Sequence, residues 1–208
     1  MFGGNFQTWK LHSAQDYFMF FAYIFAGVLV FWLIAKHMNK QRNHEKAVEK
    51  VSARLKKICG KPGEVLKNAT LNLPEGKMTF DAVLMDKRGV YLVRTYGWGI
   101  KIYGTPDGAM WRREDAKRKE EFENPLLELK KGAAEITKVM EENGVQNLKV
   151  MPMVVFADNF QTPELYLGYG SFSTTYQELK NWYKKQSGVK EAQYDYDKVS
   201  SIIKGLAK

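Results

Sequence analysis

Few kinds of residue in this chain could do chemistry. Cys59 is the single cysteine, and the three histidines, His12, His37 and His44, lie in or beside one long apolar run. One cysteine allows no intramolecular disulfide and no thiolate cluster. No histidine follows residue 44, which argues against histidine-bound zinc and Ser-His or Cys-His nucleophile systems in the body of the chain. What remains is carboxylates, lysines and hydroxyls. Asp81 stands inside the apolar run FDAVLMD, Arg94 inside GVYLVRTY and Lys101 inside IKIY. Asp81 could pair with Arg94 across a sheet, and Lys101 has the ordinary reading of an edge-strand lysine. Trp98 and Trp111 read as packing residues, and Gly168-Tyr169-Gly170-Ser171 as a loop too weakly patterned to cradle phosphate.

The elements that must position these residues begin with the apolar run itself. Residues 17–35, YFMFFAYIFAGVLVFWLIA, carry no charge. At about 1.5 Å of rise per residue such a helix reaches roughly 28 Å, close to the hydrocarbon thickness of a bilayer. Tyr17 and Trp32 stand near its ends, where amphipathic rings favour the interface. The run is too long for a signal peptide, and no small-x-small site follows it. The reading is one transmembrane helix.

Charge gives its orientation. Residues 36–61 hold nine lysines and arginines against Glu45 and Glu49, a net +7 of the chain's +9. By the positive-inside rule the C-terminal side is cytoplasmic. Residues 1–35 balance Lys10 against Asp16, so residues 62–208 carry only +2. The excess charge therefore flanks the membrane, where it attracts anionic lipid or another polyanion. The expected order is a short extracytoplasmic stretch (1–16), the span (17–35), a basic juxtamembrane amphipathic helix (36–61) and a soluble domain (62–208). Asn68-Ala69-Thr70 matches the glycosylation triplet, but a cytoplasmic location makes the match fortuitous.

Periodicity supplies the rest. Ala47, Val48, Val51, Leu55 and Ile58 recur at steps of mostly three and four, predicting an amphipathic helix continuous with the span or close to it. EVLKNATLNL and MTFDAVLMD flank the turn Pro74-Glu75-Gly76-Lys77 as two strands, and GVYLVRTY forms a third. Residues 100–103 and 109–112 form a short pair around Thr105-Pro106-Asp107-Gly108, and a charged stretch runs from Arg112 to Glu123. Asn124 and Pro125 suit the cap and first turn of a helix to about Asn143. KVMPMVVFAD (149–158) is a buried strand. Thr174 to Glu178 offers a capping box for a helix to about Gln186, and Asp195 caps a last helix through Leu206. The layout is α+β with a mixed sheet.

With that order in place, FDAVLMDKRGVYLVRTYGWGIKIYG at 80–104, WRRE just after, FENPLLE at 122–128 and VMPMVVFAD at 150–158 together resemble the nuclease-related domain (NERD) family, over roughly residues 44–158. The resemblance implies a restriction-endonuclease-like core and a Mg²⁺-dependent phosphodiesterase site. That site would use an Asp on one strand, a Glu-x-Lys pair on the next, and a Glu from the preceding helix. Asp81 matches the aspartate, and Glu45 or Glu49 the helix glutamate. The Glu-x-Lys positions hold Arg94-Thr95-Tyr96, and the glutamine after Asn-Pro is Glu128. Three of the matching polar positions therefore depart from the pattern.

Three functions follow as expectations. The first is a membrane-tethered domain with a dismantled metal site and no cofactor, binding nucleic acid through Arg94, Lys101, Arg112 and Arg113. The second is an active nuclease with Mg²⁺ held by Asp81, Glu45 or Glu49, and Glu128, with Lys101 in place of the lost lysine. The third is a module that docks a protein partner at the inner membrane face.

Overall fold

The computed structural model describes residues 13–41, 43–115, 118–158, 161–186 and 194–207. It falls into two compact units, Met1–Lys40 and Gln41–Lys208. Most of the expected extracytoplasmic stretch 1–16 lies outside the described residues.

The first unit is helical. Helix α1 (Ala14–Gln41) contains an apolar stretch, Ala14–Lys36, long enough to cross a membrane, with none of it buried within the protein. Phe18, Phe25 and Phe31 are among its exposed side chains. A continuous exposed apolar surface of this kind needs a cover, and lipid is one that fits its length.

The second unit starts with its own cap. Asn43 is extended and its side chain accepts the Glu45 N–H at 2.8 Å, opening helix α2 (His44–Cys59). Helix α2 is thus an element with its own start. Ala47, Val51 and Leu55 of α2 are fully buried against the sheet, so this segment belongs to the body of the second unit.

Next come strands β1 (Glu64–Leu73), β2 (Gly76–Asp86) and β3 (Gly89–Tyr96), an antiparallel meander. Gly89 makes the second turn possible. Its φ is +148°, and a Cβ there would meet the Lys149 carbonyl oxygen, which instead accepts the Val90 N–H. Strands β4 (Lys101–Gly104), β5 (Met110–Glu114) and β6 (Lys119–Glu123) follow, then helix α3 (Pro125–Glu142) and strand β7 (Val150–Phe156). Strands β8 (Glu164–Leu167) and β9 (Ser173–Thr175) precede helices α4 (Leu179–Gln186) and α5 (Tyr196–Leu206).

These elements make two mixed sheets. One has the order β1-β2-β3-β7-β9, with β7 parallel to both neighbours; the other has β6-β5-β4-β8, with β4 parallel to β8. The expected α+β class with a mixed sheet is what the chain adopts. The second sheet is larger than expected, because the charged stretch after Arg112 pairs as a hairpin. Its two core-facing residues, Trp111 and Phe122, are register partners.

The five-stranded sheet is covered on both faces. Val90 and Leu92 of β3 join one apolar cluster, with Leu129, Ile136, Val199 and Ile203 of α3 and α5. Tyr91 and Val93 join the other, with Val51 and Leu55 of α2 and Leu179 and Tyr183 of α4. Strand alternation supplies one face to each layer. Gly132 lets α3 approach β2, since a Cβ there would come within 2.8 Å of the Phe80 ring.

Candidate functional site

Alternation fails once, and the site lies at the failure. Leu66, Ala69, Leu71 and Leu73 of β1 pack on the same cluster although 66 and 69 are an odd number apart. On β2, Phe80 shares a face with Val83 and Met85 rather than with Ala82 and Leu84. Asn68, in left-handed conformation at φ 49°, lies between the register pairs Lys67–Ala82 and Ala69–Phe80. The residue between the same pairs on β2 is Asp81. A left-handed residue mid-strand breaks the regular pleat. Both strands change face there.

Asp81 uses the break. Its Oδ2 accepts the backbone N–H of Thr95 at 2.6 Å, a donor beyond the last regular pair of β2 and β3, Ala82–Val93. Its Oδ1 lies 3.6 Å from Arg94 Nη1 and 3.4 Å from His44 Nε2. Arg94 in turn donates through Nη2 to Glu128 Oε2 at 2.7 Å and to the Thr79 carbonyl at 3.2 Å. Glu128 stands in the first turn of α3, which Asn124 caps by accepting the Leu126 N–H at 2.9 Å. One guanidinium thus bridges a buried carboxylate on β2 and a half-exposed one on α3.

Tyr96, two residues along β3, packs its ring on Phe156 at 5.5 Å and beside Trp98 and Phe122. Burial pushes its hydroxyl up to about 12, with Arg94 pulling the other way.

The NERD sequence pattern matches residues 40–157, more than half of the chain. The chain belongs to the nuclease-related domain family. An uncharacterized protein of Bacillus anthracis is 32% identical over 96 residues. That match covers 45% of this chain and 44% of the relative, so the chain spans less than half the relative's length. No solved structure matches.

The family resemblance calls for Mg²⁺ here, and the residues present do not fit it. Mg²⁺ takes oxygen ligands at about 2.0–2.1 Å in octahedral array. In this NERD domain the space between Asp81 and Glu128 is spanned by a guanidinium with five donors and no acceptor. Two unit charges of like sign 4 Å apart repel by about 4 kcal/mol at an effective dielectric of 20, and a divalent ion doubles this. Among the described residues, no three His, Cys, Asp or Glu side chains converge as a metal site requires.

The other expected site residues are dispersed. Glu45 and Glu49 are exposed on α2. Lys101, expected as a substitute for the family's lysine, lies on β4, in the second sheet, with Glu164 at 4.0 Å. Arg112 pairs with Glu114 at 3.3 Å, and Arg113 with Glu120. Every expected phosphate-binding cation therefore already faces a carboxylate. His44 is the residue that sequence reading missed. Its closeness to the apolar run suggested a membrane flank, whereas the Asn43 cap turns it into the first residue of α2, beside Asp81. The one legible hint was an Asn preceding an amphipathic period.

One exposed face remains organised. Arg112, Tyr103 and Tyr166 are direct cross-strand neighbours on β5, β4 and β8. The two tyrosine rings stack at 4.8 Å with planes 8° apart, and the Arg112 guanidinium lies 5.0 Å from the Tyr103 ring centre.

Proposed function

We propose that this chain is a membrane-anchored NERD domain that binds nucleic acid and does not cut it. The observation that carries the reading is the Arg94 bridge between Asp81 and Glu128. It replaces metal-binding acidity with a fixed positive charge, and no Mg²⁺ or other cofactor enters the reading. The anchor is α1, with the second unit on the cytoplasmic side of the cell membrane, as the +7 of residues 36–61 favours.

The binding half is supported by the row Arg112, Tyr103, Tyr166. Stacked aromatic rings with an arginine at one end offer π-faces to unpaired bases, and such stacking is tolerant of sequence. On the same face Lys101, Arg112 and Lys119 stand against Glu114, Glu121 and Glu164, so stacking rather than charge would dominate.

The test uses the full chain in nanodiscs with a labelled single-stranded oligonucleotide and Mg²⁺ or Mn²⁺. Binding without cleavage is expected, weakened when Tyr103 and Tyr166 are replaced by alanine at unchanged thermal stability. Metal-dependent cleavage that Asp81→Ala abolishes would overturn the non-cleaving half. Absence of binding would overturn the nucleic-acid half and favour a protein partner at the inner membrane face.

A further inference from the structure

The strongest unexplained feature lies on the opposite side of the large sheet. A groove of about 480 Å³ runs between α2 and α4. Lys50, Arg54 and Lys57 line it from α2 and Lys180 and Lys184 from α4, with Tyr176 between them; none of the described lining residues is acidic. The spacings of four and three on α2, and of four on α4, put like charges side by side on each helix. The inner face of α2 is occupied with core packing through Ala47, Val51 and Leu55, so the basic face is turned outward.

Part of the groove is already set. Arg54 donates to the Gln177 carbonyl at 3.2 Å and lies 4.5 Å from the Tyr176 ring centre. The contact holds the guanidinium in one orientation with donors to spare. That arrangement suits an anion with several oxygens, such as a phosphate group.

We propose that this groove docks the phosphate headgroups of anionic phospholipids. The inference rests on the membrane-anchored reading. In the sequence α2 begins eight residues after the apolar stretch, so an anchored chain carries the groove within a high local concentration of headgroups. A polynucleotide seeking the same groove would be repelled by the anionic surface beside it. Lys180 and Lys184, more than a hundred residues along the chain, join a cluster that the sequence presents as a juxtamembrane stripe alone.

The experiment reconstitutes the full chain in nanodiscs of phosphatidylcholine with or without phosphatidylserine. The rate of acetylation of each lysine is then followed by mass spectrometry. Lys57, Lys180 and Lys184 should react several-fold more slowly in the anionic discs, while the exposed Lys138 of α3 reacts equally in both. The protection should disappear in salt concentrated enough to shorten the Debye length to about 3 Å. Lys180→Gln with Lys184→Gln should also deprotect Lys57, which a stripe on α2 alone would not show. Equal reactivity in both discs, or protection confined to α2, overturns the groove. Protection that only an oligonucleotide confers, in neutral discs, overturns it in favour of nucleic acid. A chain that fails to float with the discs overturns the anchoring, a separate readout, and this inference with it.

Discussion

Arg94 on β3 donates to Glu128 on α3 at 2.7 Å, and the same guanidinium stands 3.6 Å from the buried Asp81. The contact ties the central strand to the helix that crosses it. It also sets one cation between two carboxylates, so the group has one more acidic side chain than basic before His44 is counted. The half-exposed Arg94–Glu128 end contributes little, as solvent-screened pairs do. The Asp81 end matters more, because a buried carboxylate without its partners is costly.

Replacing Arg94 by methionine keeps much of the side-chain volume and removes the charge. It should destabilise the fold by about 1–3 kcal/mol through the exposed need of Asp81. Adding Asp81→Asn should recover part of that loss, because a neutral amide still accepts the Thr95 N–H. Thermal unfolding of the single and double variants measures it; equal loss in both would show that Asp81 and Arg94 are not coupled.

Arg94→Glu should convert the group into three carboxylates. The variant is expected to be less stable than the parent in chelator and to gain several degrees of Tm with Mn²⁺, while the parent gains none. Tyr96 is best left alone in this test, since a lysine there would break the ring packing on Phe156. A parent chain stabilised by Mn²⁺ as strongly as the variant would show that Arg94 does not oppose metal.

Asn124 is a second structural hinge-pin. Its Oδ1 caps α3, while its Nδ2 donates to the carbonyls of Pro106 at 3.2 Å and Gly108 at 2.7 Å. Asn124→Ala removes the cap and leaves the turn before β5 unsatisfied, so a loss of about 2–3 kcal/mol is expected. Asn124→Asp keeps the cap but sets a carboxylate oxygen against those carbonyls in a buried position, and should lose at least as much in a denaturant melt.

Alkaline pH should loosen the protein through its tyrosines. Burial is the largest cause raising the hydroxyls of Tyr91, Tyr183 and Tyr194 above the ordinary 10, and it takes Tyr96 to about 12. A raised folded value means that the neutral form is favoured in the fold. Its contribution is complete below pH 10 and is lost as pH rises from 10 through 12. Tm should therefore fall over that window, with phenolate absorbance from these residues appearing together with unfolding. Full tyrosine titration with Tm unchanged would contradict the burial.

Much of this was legible from local pattern. The apolar run, the strands of the meander, the Asn124-Pro125 helix start and the buried strand β7 follow from periodicity and capping, which neighbours in sequence control. The motif order from Phe80 to Asp158 was enough to indicate the family. The hairpin of β5 and β6 was obscured by its charges, because an edge hairpin with one wet face resembles a solvated loop.

The sequence by itself determined which chemical groups the domain has: Asp81 inside one apolar strand, and Arg94 and Tyr96 two apart on the next. Only the tertiary structure decided what each group meets. A left-handed Asn68 turns two strands over at Asp81, a capped α2 brings His44 beside it, and α3 delivers Glu128 to Arg94 from 34 residues away. Helix α4, from the far end of the chain, gathers Lys180 and Lys184 beside the basic face of α2. Local propensity acts over one turn or one pleat, whereas charge pairing acts through space, and only the packing of distant segments fixes those distances.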